Sequence, residues 1–103
     1  MKTDRELLEL AARAAGYREA GINQPYTDGL LENWNPLTDD GDALRLAVKL
    51  GLWIDIQRAI TETWALGPYE NCRLEKQRFN GDEYAATRRA ITRAAAAIGE
   101  GMK

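Results

Sequence analysis

The stretch LWIDIQRAITETWAL, residues 52–66, is where the apolar period of the chain changes from the 3.6 of a helix to the 2 of a strand, and that change decides the fold class. Leu52, Ile54 and Ile56 alternate with Trp53, Asp55 and Gln57, and a second run from Ile60 to Leu66 is rich in β-branched and aromatic residues. Alternation sends successive side chains to opposite faces, so two strands are predicted. Gly67-Pro68-Tyr69-Glu70-Asn71 reads as a turn. Beyond it Cys72, Leu74, Lys76 and Arg78 alternate with Arg73, Glu75, Gln77 and Phe79 in a more polar third strand, whose lysine and arginines suit a sheet edge.

Working outward toward the N-terminus, Thr38 is predicted to cap a helix whose first turn holds Asp39, Asp40 and Asp42, where the helix dipole favours acids, and Gly51 ends it. Ala43, Leu44, Leu46, Ala47, Val48 and Leu50 occupy nearly all of its circumference except the sector of Arg45 and Lys49. This helix is therefore expected to be the most deeply buried and the centre of the fold. Before it, Tyr17 to Leu37 has no sustained period and reads as a long irregular connection anchored by Ile22, Tyr26, Leu30, Leu31 and Trp34. Trp34, beside the Asn35-Pro36 step, either plugs the core or presents a binding surface, and plugging is the ordinary role for so large a ring. A first helix opens at the capping box Thr3-Asp4-Arg5-Glu6 and stops at Gly16.

Toward the C-terminus, Asn80 and Glu83 have capping-box spacing, and the helix they open runs to Gly99. Tyr84, Ile91, Ala95 and Ile98 are predicted to make its buried stripe, with Arg88 at the border and Arg89 and Arg93 pointing to water. Its alanines leave little bulk, which permits close approach to a sheet or another helix. These elements make a single α+β domain over residues 1–103: two N-terminal helices, a three-stranded antiparallel sheet, and a C-terminal helix packed on the sheet.

Composition removes much standard chemistry. The 103 residues include no histidine, no serine and one cysteine, Cys72. A Ser-His-Asp triad and a Cys-His pair are impossible, and a tetrahedral zinc site lacks its imidazoles and all but one thiolate. A non-enzymatic protein is expected. One thiol makes no intrachain disulfide, the N-terminus lacks the apolar core of a signal peptide, and no apolar run is long enough to span a bilayer, so the cytosol is the expected compartment. The net charge of −2 hides an asymmetry: nine acids against four bases in residues 1–43, three against three in 44–70, and four against seven in 71–103. Internal pairing between the acidic and basic ends is the favoured reading.

Three groupings carry candidate chemistry. Asp39, Asp40 and Asp42, with Asp28 and Glu32, are the metal-like cluster, but acids at a helix start are expected as caps, and the spacing is not that of a calcium loop. Arg73, Lys76, Arg78, Arg88, Arg89 and Arg93 form a basic patch if the third strand lies beside the last helix. Trp53, Trp64, Tyr69 and Phe79 are the rings available to interleave with it as a stacking platform. An acidic chain without a nucleic-acid signature makes a solvated face the ordinary reading of that patch, and nucleic acid is not an expected partner. Cys72 reads as a small hydrophobe.

The segment Trp34-Asn35-Pro36-Leu37-Thr38-Asp39-Asp40-Gly41-Asp42-Ala43-Leu44 through Val48-Lys49-Leu50, with Tyr84-Ala85-Ala86-Thr87-Arg88-Arg89-Ala90-Ile91, resembles small proteins of tailed bacteriophages and prophages, the phage sandwich-domain families. The resemblance covers most of residues 34–98. It implies phage origin and an α+β fold, and it supplies no catalytic residues. The expectation that follows is an accessory protein of the bacterial host cytosol that binds a host or phage protein, with no cofactor and no metal. The alternative is a small-ligand or nucleotide-binding module built on an arginine and aromatic surface. The candidate binding residues are Trp34, Asn35, Arg73, Arg78, Arg88 and Arg89, and the alanine-rich helix and sheet edge permit a homodimer.

Overall fold

The structure is a computed structural model that describes residues 2–17 and 34–102. The anchors Ile22, Tyr26, Leu30 and Leu31, and the acids Asp28 and Glu32, lie outside the described residues. The elements run α1 (Asp4–Ala15), α2 (Asp40–Leu50), β1 (Trp53–Gln57), β2 (Glu62–Leu66), β3 (Glu75–Arg78) and α3 (Glu83–Glu100). The fold is α+β, as the change of period predicts.

Each helix is bounded by the local chemistry of its ends. Thr3 and Glu6 close a reciprocal capping box on α1: the Thr3 N–H donates to the Glu6 carboxylate at 2.8 Å, and the Glu6 N–H donates to the Thr3 hydroxyl at 3.2 Å. Gly16 ends α1 with φ 85°, and Gly51 ends α2 with φ 67°, a region where a side chain is strained. The caps of α2 and α3 fall one and two residues after the predicted ones. Asp39, not Thr38, accepts the Asp42 N–H at 2.8 Å, and Asp82, not Asn80, accepts from Tyr84 and Ala85. Asn80 and Gly81 instead take positive φ, which turns the chain from β3 into α3.

The sheet order is β1-β2-β3, antiparallel throughout, with Ile54 opposite Ala65 and Ala65 opposite Glu75. The third strand is shorter than its sequence alternation suggests, and it lies at an edge. Thr63 and Ala65 of β2 face α3: Ala65 packs against Ala90 and Ala94, and the Thr63 and Thr87 hydroxyls meet at 2.8 Å.

The centre of the fold is α3, not α2. One side of α3 covers the sheet, while Ile91 and Ala95 belong to the main core with Ala11, Ala12 and Ala15 of α1 and Ala43, Leu46 and Ala47 of α2. Small side chains let α3 approach neighbours on both sides. Gly99 goes furthest, lying directly against the Leu10 carbonyl. By contrast Leu44 and Val48 of α2 are 63% and 72% exposed, because only the arc of Ala43, Leu46, Ala47 and Leu50 faces α3 and α1. Tyr84 is exposed rather than part of the α3 stripe, since it sits in the first turn, beyond the region where α1 covers the helix, and Ile56 is half exposed at the far end of β1. Among the described residues no helix is long and apolar enough to cross a membrane.

The acidic and basic ends of the chain do pair. Asp40 takes Arg88 at 2.6 Å, Asp4 takes Arg89 at 3.0 Å, and Lys2 reaches Glu100 at 3.0 Å.

Candidate functional site

Three of the six candidate residues close the core instead of presenting a surface. Trp34 is 8% exposed and packs edge-to-face on Tyr17, with ring centroids 5.4 Å apart. Asn35 folds back on its own segment: its side-chain oxygen accepts the Leu37 N–H at 3.0 Å, and its main-chain N–H donates to Asp42 at 2.9 Å. Arg88 reaches from α3 to the turn before α2, donating from Nε to the Leu37 carbonyl at 2.9 Å and pairing with Asp40. Its side chain is only 18% exposed. Trp34, Asn35 and Arg88 thus hold residues 34–40 against the helices.

The same contacts explain the acidic cluster. Asp39 caps α2, Asp40 pairs with Arg88, and Asp42 accepts from Asn35 and from Arg45 at 2.8 Å. Each carboxylate is turned to a different partner, and among the described residues no three His, Cys, Asp or Glu side chains come together to hold a metal ion.

The other candidates, Arg73, Arg78 and Arg89, border one open groove of about 510 Å³ between β3, α3 and the start of α1, although strand alternation sets Arg78 beside Glu62 on the sheet face that also carries Lys76 and Trp64. Lys2, Arg93 and Glu75 line it with them. The groove is organised by Glu75, which the sequence reading did not single out. Its side chain is 8% exposed, at the bottom of the β3 face that packs on α3. Arg93 crosses to it from α3, at 2.9 Å, and donates as well to the Lys76 carbonyl at 3.0 Å and the Gln77 side chain at 3.1 Å. Arg73 approaches the other Glu75 oxygen at 3.6 Å and stays 75% exposed. A nearly buried carboxylate therefore draws two guanidinium groups together and neutralises the charge of one.

No aromatic ring lines this groove. Trp53 and Trp64 share the opposite face of the sheet, where Lys76 leans over Trp64 with its ammonium 4.8 Å from the ring centre. Phe79 is buried, and Tyr69 lies in the connection before β3. Tyr69 shares a neighbouring groove with Arg73, and Phe79 another with Arg78, so no single groove gathers the arginines with an aromatic wall. Cys72 is half-buried beside Gly67, where a Cβ would stand 2.5 Å from its Sγ.

The alanines expected to offer a dimer face are consumed within the chain. Ala90, Ala94, Ala95 and Ala96 are all buried, the first three against the sheet or α1 and α2.

Comparison with protein-family models, with curated proteins and with solved structures finds no match.

Proposed function

We propose that this chain is an accessory protein of phage or prophage origin that works in the bacterial host cytosol by binding a host or phage protein, without catalysing a reaction. The observation that supports this reading is the outer face of α2. Leu44 and Val48 stand one turn apart on it, and both are largely exposed although the helix itself is well packed. Apolar side chains grouped on a surface mark a place where another protein excludes water, and fully burying each contributes about 1.5–3 kcal/mol.

The test is affinity capture with the full chain and with Leu44→Glu/Val48→Glu as parallel baits. A partner retained by the first and lost by the second supports the proposal. Recovery that does not differ between the two baits overturns it.

A small-ligand or nucleotide-binding module is the second reading, supported by the gathering of Arg73, Arg78 and Arg89 at one groove. Calorimetry with nucleotides tests it, and heat that vanishes in Arg73→Gln is the result expected.

A further inference from the structure

We infer that the face of the sheet turned away from α3 is where two copies of this chain meet, sheet on sheet, about a two-fold axis that runs along β2. The inference is independent of the partner surface on α2. Strand register sorts this outer face into rows: Trp53 lies opposite Leu66, Asp55 opposite Trp64 and Trp64 opposite Lys76, and Gln57 opposite Glu62 and Glu62 opposite Arg78. Leu74, just before β3, extends the first row. Arg73 and Glu75 on either side of it turn to the groove beside α3, which leaves Leu74 to the outer face, where it is 37% exposed. Among the described residues no element packs over this face. Trp53 is therefore 50% exposed, although a ring of its size ordinarily hides most of its area.

The charges on the face select its occupant. Asp55 and Glu62 balance Lys76 and Arg78, so the face as a whole draws neither a polyanion nor a polycation. The acids sit on β1 and β2 and the bases on β3, and none of the four makes an ion pair among the described residues. Asp55 and Lys76 flank Trp64 from strands about 9–10 Å apart, and Lys76 leans over the Trp64 ring instead, 4.8 Å from its centre. Stacked sheets keep their strands within about 30° of each other, which leaves a symmetric pair two arrangements. An axis across the strands sets each strand over its own copy, so Asp55 meets Asp55, Lys76 meets Lys76, and the apolar row lies on the charged row. An axis along β2 sets β1 over β3 of the second copy. Asp55 then faces Lys76 of the other copy at two equivalent places, Trp64 meets Trp64, and Trp53 comes over Leu74. This arrangement joins unlike charges and closes the apolar row on itself. Glu62 meets its own copy near the axis, but each carboxylate already accepts the Trp64 indole N–H at 2.9 Å and has Arg78 opposite it in register.

Sedimentation equilibrium of the full chain over a range of concentrations is expected to show monomer passing into dimer. Asp55→Lys and Lys76→Asp each place like charges at both equivalent contacts, and each is expected to weaken dimerisation roughly tenfold or more. Mixed together, the two variants are expected to associate with each other about as well as the parent with itself, because every contact again joins unlike charges. A fold defect in either variant could not produce that recovery. A chain that stays monomeric throughout, single variants that dimerise like the parent, or a mixture that associates no better than its components would each overturn the inference. So would a dimer that Leu44→Glu/Val48→Glu abolishes, since association would then run through α2.

Discussion

Gly99 in α3 lies so close to the main-chain carbonyl of Leu10 in α1 that a Cβ on Gly99 would stand 1.9 Å from that oxygen. Two effects then oppose each other in Gly99→Ala. Alanine gains about 1 kcal/mol of helix propensity over glycine, whereas overpacking costs about 1–3 kcal/mol and more when the obstacle cannot move. Here the obstacle is helix backbone, with the Leu10 carbonyl carbon at 2.8 Å and the Ala14 nitrogen at 3.3 Å from the same Cβ position. The clash wins. Urea unfolding of Gly99→Ala should show a net loss of about 2 kcal/mol, and an unchanged or raised midpoint would contradict the close approach.

The Glu75–Arg93 pair predicts an asymmetry. Arg93→Ala leaves a nearly buried carboxylate facing only the looser Arg73, whereas Glu75→Gln leaves an arginine that is 36% exposed and can turn to water. Breaking a buried pair from the side that strands a charge costs about 3–5 kcal/mol, reduced here to about 2 kcal/mol because Arg73 remains and the pair is partly solvated. Glu75→Gln should cost about 1 kcal/mol or less. Thermal unfolding of both variants in one buffer gives the ordering, and a larger loss for Glu75→Gln would be inconsistent with the burial of its carboxylate.

On α2 the outward and inward apolar positions should separate cleanly. Leu46 is 1% exposed and Leu44 is 63% exposed, within the same helix. Leu46→Ala removes core volume and should cost about 2–5 kcal/mol, while Leu44→Gln should stay within about 0.5 kcal/mol of the parent. Comparable losses at the two sites would mean that Leu44 is covered.

The Glu6 carboxylate is held below its ordinary pKa, first by the hydrogen bond from the Thr3 main-chain N–H and next by the Thr3 hydroxyl. A depressed pKa means that the carboxylate stabilises the fold above its unfolded value and that this contribution is lost as pH falls through the lowered folded value. Acid should therefore fray the start of α1 in a window below the ordinary glutamate range. Thr3→Ala removes only the second cause, so an NMR titration should show the Glu6 pKa rising part of the way and not fully. A full return would assign the effect to the hydroxyl.

Much of the architecture is legible in local chemistry, because caps, glycine stops and the period-2 run depend on near neighbours in sequence. The capping box at Thr3 and the stops at Gly16 and Gly51 are of this kind. What local reading misassigns is which helix is central. Counting apolar residues favours α2, but the position is taken by α3, whose alanines and Gly99 contribute little apolar bulk and permit two close interfaces. The candidate site divides on the same ground. Arg73 and Arg78 were readable as edge-strand cations, whereas Glu75 looked like one more polar residue of that strand. Its position two residues before Gln77 and four before the buried Phe79 was the available signal, since alternation puts all three on the inward face. Arg88 could be placed at the border of its helix from the wheel, but its partners, Leu37 and Asp40, come from a turn 48 or more residues away in sequence.

The bond from Arg93 to the Lys76 carbonyl takes up one main-chain acceptor on the outer edge of β3. Joining sheets edge to edge requires free main-chain acceptors on both outer strands if the process is to continue from one copy to the next. A strand added along β3 would have to displace the Arg93 guanidinium, so the side chain that holds Glu75 also disfavours pairing on this edge.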